Sequence, residues 1–182
     1  MIKKVLISGL LGGVTLIILT FVLNAVLGFK SSMDMKQISN EQEVYNLLKE
    51  NIVEPGRYIC NPEVNSEVGF PGAEPVFSVL YSGIGHDAAG SLMFVELIIL
   101  LIAPIIAAWM LSMTNERILS SYLNKVSFFT IIGLLLAVYS TFSNFGIGNY
   151  PLSDSLILAV HNIFVWTIVG LAVAWQMKPE KG

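Results

Sequence analysis

Polar and apolar positions in this chain are sorted into whole segments rather than single turns. Apolar runs cover 5–29, 92–113, 126–142 and 156–175, with polar stretches between them. A bilayer core takes about 20 apolar residues in helical form, so the first, second and fourth runs are long enough to span it. The third is shorter and carries Ser127, Thr130, Ser140 and Thr141, yet it meets the lower end of the range. Backbone in lipid must satisfy its own hydrogen bonds, which makes each run a helix. The pattern predicts an all-α membrane protein, a bundle of four transmembrane helices.

Residues 30–91 follow a different rhythm. Ser39 and Gln42 have the spacing of a capping box, and the stretch after them puts Val44, Leu47, Leu48 and Ile52 on one helical face. Glu54-Pro55-Gly56 ends that helix in a turn. Arg57 to Cys60 and Val76 to Tyr81 read as short strands of a β-hairpin. The stretch between them holds three prolines and two glycines and reads as irregular loop. A helix and a hairpin are too small to be stable alone. They are expected to cap the bundle between its first two helices, with Phe70, Phe77 and Tyr81 toward the helices or lipid.

Charge orients these elements. Charged residues make up 13% of the chain, against roughly 25% in soluble proteins. Lys3, Lys4, Arg117, Lys125, Lys178 and Lys181 mark the N-terminus, the 114–125 loop and the 176–182 tail, while 143–155 has no Lys or Arg. By the positive-inside rule both termini and the 114–125 loop are cytoplasmic; 30–91 and the short 143–155 loop lie outside. Lys3 and Lys4 before an apolar stretch resemble a signal peptide. The run is too long for one, so it reads as an uncleaved first helix. The expected location is a bacterial inner membrane, crossed by multiple passes.

Small and polar residues form a stripe along each apolar run. Gly9, Gly13, Thr20, Asn24 and Gly28 share a face of the first helix, and Gly9-x-x-x-Gly13 is a close-approach pattern. Gly133, Ala137, Ser140 and Asn144 do so in the third helix, with Asn162 and Gly170 in the fourth. Gly9, Gly13, Gly133 and Gly170 are the candidate packing positions. Pro104 should kink the second helix. Counted from the outer helix ends at about 1.5 Å per residue, Asn24, Glu96, Ser140 and His161 fall at similar depth. Together with Asn162 they make a candidate polar cluster, with Glu96 hydrogen-bonded to another member. Ionisable groups inside a membrane are costly and so mark function by default. The same groups also suit a purely structural role as interhelical glue.

Other chemistry is hard to find. Cys60 is the one cysteine, which excludes an internal disulfide and argues against thiol redox exchange. His86 and Asp87 are too few for a metal site. Metalloprotease, phosphate-loop and serine-elbow motifs are lacking. A single histidine within the apolar runs does not suit haem, and the basic residues are too scattered for nucleic acid. No catalytic residue, metal or cofactor is expected.

Glu54-Pro55-Gly56-x-Tyr58, Phe77-x-x-x-Tyr81, Glu96 and Trp166-x-x-x-Gly170 resemble a group of small four-helix bacterial membrane proteins with no established function. The layout is also similar to that of claudins, by topology alone, since the claudin loop cysteine pair and tryptophan motif are missing here. The resemblance implies the architecture and no activity. The leading expectation is a non-enzymatic accessory or binding subunit that recognises lipid or a membrane or periplasmic protein. The rival is a transporter or channel subunit, working as a homo-oligomer and using Glu96 with His161. A water-accessible cavity at Glu96 would favour the rival.

Overall fold

The computed structural model describes residues 2–29, 32, 36–61, 75–85, 89–146 and 150–177. His86, Asp87, Phe70, Lys178, Lys181 and nearly all of the proline-rich loop lie outside them. The chain forms two compact units, one of residues 1–35 with 93–182 and one of residues 36–92.

Four helices of the first unit are long and apolar enough to cross a membrane. Helix α1 (Ile2–Phe21) continues through a π-helical turn at Val22–Val26. The chain re-enters this unit in a 24-residue helix, Ala89–Ser112, which carries Pro104 in its interior. A five-residue helix, Glu116–Ser120, precedes a third long segment. That segment comprises Tyr122–Leu136, a second π turn at Ala137–Thr141, and Phe142–Gly146. The last helix is Leu152–Gln176. In chain order the remaining helices are named around α2 (Glu41–Asn51) of the second unit: α3 (Ala89–Ser112), α4 (Glu116–Ser120), α5 (Tyr122–Leu136), α6 (Phe142–Gly146) and α7 (Leu152–Gln176).

The third span is therefore longer than its apolar run. Its helix begins before Val126 because Ser121 caps it, with the hydroxyl accepting from Asn124 N–H. Asn115 does the same for α4, accepting from Ile118 N–H at 3.1 Å. Such oxygens satisfy donors that a helix start leaves free. The 114–125 stretch is thus mostly helical rather than plain loop.

The spans pack antiparallel, drawn together at glycines. A Cβ on Gly9 would sit 2.6 Å from the Ile105 Cα, and one on Gly13 would sit 2.8 Å from the Leu101 side chain, so α1 meets α3 almost backbone to backbone. A Cβ on Gly133 would lie 2.9 Å from the Asn162 carbonyl oxygen on α7, and Gly170 faces Phe129 in return. Close approach of this kind replaces the hydrophobic force that lipid does not supply. Around it lies a core in which Leu111, Phe129, Val169 and Val173 are fully buried. Phe129 stacks on Trp166 at 6.2 Å, and Thr130 and Thr167 share a 3.0 Å hydrogen bond between α5 and α7. Outward-facing positions such as Ile18, Ile131, Leu135 and Val160 are apolar and exposed.

The second unit contains α2 and an antiparallel pair, β1 (Gly56–Cys60) and β2 (Phe77–Tyr81), in the register Tyr58 opposite Val79. Tyr58 donates to the Glu54 carbonyl at 2.6 Å, and Arg57 Nε donates to Ser78 Oγ at 3.0 Å. Gly83 holds φ +69°, with Pro55 packed where a side chain would begin. The expected capping box does not form. Asn40 occupies the N-cap without a side-chain bond, and Gln42 donates to Asn46 instead. Starting the helix after Asn40 leaves Ser39 in the turn before it, out of capping position. Of the expected apolar face, Ile52 is buried while Leu47 is exposed.

Candidate functional site

A chamber of about 390 Å³ opens between α1, α3 and α7. Thr20 and Asn24 border it from α1 and its π turn, Glu96 from α3, and His161, Asn162 and Trp166 from α7. Its volume is within the roughly 300–1,000 Å³ range of small-molecule sites. Apolar walls with a few polar groups are likewise the usual lining of such sites.

Each polar member has a distinct environment. Glu96 is exposed on α3 and makes no hydrogen bond or ion pair among the described residues. The hydrogen bond expected for it is not made. Asn24 sits in the wider π turn, half-buried. Single π turns inside helices recur at functional sites, and this one was not legible in the apolar run. The His161 ring stacks on Phe29, with centroids 4.8 Å apart and planes 13° apart. Its Nε2 is buried and has no hydrogen-bond partner among the described residues. Asn162 donates to Thr141 Oγ1 at 3.0 Å and so ties α7 to the second π turn.

Ser140 stands apart from the other cluster members. It is exposed and does not border the chamber. Thr141 is buried in its place. An i→i+5 turn adds a residue to the helical repeat, so the face that Ser140 would occupy in a regular helix passes to Thr141. Four of the five expected members thus border one cavity, and Ser140 does not.

Three further chamber residues had other readings in the sequence. Thr20 belonged to the small-residue stripe and Trp166 to a motif, while Phe29 stood as the last residue of the first apolar run. Pro104 adds a backbone feature: having no N–H, it gives the Leu100 carbonyl no helical donor, and Leu100 borders the chamber.

Lys125 is a separate finding. Expected as a loop charge, it is 3% exposed and donates from Nζ to the Met177 carbonyl at 2.6 Å. A cation on the last carbonyls of a helix meets the negative end of its dipole. Here the lysine comes from a neighbouring helix, which sequence spacing alone does not reveal.

Among the described residues no group of three or more His, Cys, Asp or Glu side chains could hold a metal ion. No protein-family model matches the chain, and neither a curated protein nor a solved structure matches it at a significant level.

Proposed function

We propose that this is a multi-pass membrane protein of a bacterial inner membrane that works as a non-enzymatic binding subunit, taking a lipid into the chamber between α1, α3 and α7. Membrane insertion is supported by the long helices, whose exposed faces are apolar. In water, faces of that extent would drive association. The Lys and Arg distribution supports cytoplasmic termini, with residues 36–92 on the other side. Cys60 is exposed and is the chain's one cysteine. A membrane-impermeant maleimide should therefore label it in intact spheroplasts. Labelling that appears only after lysis overturns this topology.

The observation that carries the binding role is the convergence of Asn24, Glu96, His161 and Asn162 on one cavity, in which neither Glu96 nor His161 Nε2 is engaged. A carboxyl serving only as glue would be bonded to a neighbouring helix, as the Asn162 amide is to Thr141, and Glu96 has no such bond among the described residues. Native mass spectrometry tests the reading. The wild-type protein should retain a lipid-mass adduct under mild activation, and Thr20→Phe, which fills the chamber, should lose it. An adduct retained in both, or in neither, overturns the role.

A second reading is favoured by the same cavity. Because open space reaches Glu96, a homo-oligomeric transport or channel subunit would use Glu96 and His161 in ion or proton movement. Proteoliposome flux that depends on Glu96, together with no retained lipid, would select this reading over the first.

A further inference from the structure

A second cavity adjoins the chamber. It is a groove of about 420 Å³, lined by Leu23, Leu156, Val160 and Phe164 together with Phe29 and His161. Phe29 and His161 border both cavities. Their stacked rings therefore border an almost wholly apolar space on one side and, on the other, a mixed one in which Thr20, Asn24, Glu96 and Asn162 interrupt the apolar walls. A hydrocarbon chain suits the groove, and a polar group suits the chamber.

Charge narrows the polar group. Among the described residues, Glu96 is the one ionisable side chain bordering the chamber besides His161. A carboxylate held among apolar helices without a counter-ion is costly. No cation of the described residues pairs with it, and the buried amine of Lys125 is committed to the Met177 carbonyl. A ligand that carries its own positive charge would complement this carboxylate. Trp166 and Phe29 also border the chamber, and aromatic faces beside a carboxylate are the usual surroundings of a bound ammonium group.

We infer that the chamber and groove are one site for an amine-bearing membrane lipid, with its alkyl chain in the groove and its ammonium group at Glu96. The Phe29–His161 stack lies between the two parts of the ligand and contacts both. This assignment rests on the lipid-binding reading above and adds the ligand's charge and orientation to it.

Trp166 supplies the probe. Trp109 and Trp175 are both exposed, so Trp109→Phe with Trp175→Phe leaves Trp166 as the sole tryptophan. The protein is placed in phosphatidylcholine nanodiscs and titrated with brominated dodecylamine, dodecanol or dodecanoic acid. The amine should quench Trp166 saturably, above the linear quenching of partitioned ligand, with half-saturation at least ten-fold below that of the alcohol. Glu96→Gln should bring the two within about two-fold. Val160→Phe, which fills the groove from an exposed position without adding a second tryptophan, should raise half-saturation at least five-fold for every dodecyl ligand.

The opposing outcomes separate cleanly. If the alcohol or acid saturates as readily as the amine, or the preference survives Glu96→Gln, the charge assignment is overturned while the chamber remains a lipid site. If propylamine competes as well as dodecylamine, the groove assignment is overturned. Should no dodecyl ligand quench Trp166 saturably, lipid binding in the chamber falls, and this inference with it.

Discussion

The two ends of the helical unit are built on opposite plans. Toward the chain termini, Val5, Ser8, Gly12 and Leu16 on α1 meet Pro104, Ala108 and Leu111 on α3 and Val169 and Val173 on α7, all of them buried. Toward the other end, no described residue of α1 and its π turn beyond Leu16 is buried, and none of α3 before Pro104. Glycine and alanine let backbones close at the first end. At the second, Thr20, Asn24, Glu96 and His161 hold the helices around a cavity. The lesson is that one bundle separates close packing from an open cavity by depth, so substitutions at the two ends should differ in what they damage.

The largest effect tests the packed end. Phe129 is fully buried against Gly170 and Trp166, so Phe129→Ala should cost about 3–5 kcal/mol by unfolding in mixed micelles. A loss below about 1 kcal/mol would mean that this end is not the source of cohesion. Next comes Lys125→Met, which removes a charged hydrogen bond to the Met177 carbonyl. The expected loss is about 1.5–3 kcal/mol, measured in the same assay. An unchanged midpoint would remove Lys125 from the cohesive end.

Asn162→Ala sharpens the boundary, because Asn162 borders the chamber and also bonds Thr141. Interhelical hydrogen bonds of this kind average about 0.6 kcal/mol, and that is the expected loss. Glu96→Gln should have the smallest effect, within about 0.5 kcal/mol, as for substitutions that touch no partner. A loss of 1 kcal/mol or more there would make Glu96 part of the cohesive machinery and erase the contrast between the ends.

What the sequence disclosed follows the same division. The spans were legible because apolar runs of bilayer length have few other uses, and both strands were legible from their apolar and turn pattern. The glycine positions carried a clear signal, since repeats near four residues persist on one face wherever the helix is regular. The π turns broke that regularity, which is why Thr141 rather than Ser140 is turned inward. Lys125 was misread for a different reason. Lysines flanking a span usually reach for water, and only the arrival of the α7 C-terminus beside it makes burial worthwhile. The chamber was visible only as a shared depth of polar residues, because depth along separate helices says nothing about their rotation.

The glycine contact between α1 and α3 also has a mechanical consequence. Glu96 lies five residues along α3 from Leu101, which packs on Gly13, an arm of about 7–8 Å at 1.5 Å per residue. A tilt of α3 by about 10° around that fulcrum would carry the Glu96 backbone through roughly 1 Å, by simple leverage on this arm. Pro104 beside the fulcrum removes one of the helical bonds that would resist bending. Any such tilt would change the cavity's width more than the glycine contact, because the contact lies at the pivot.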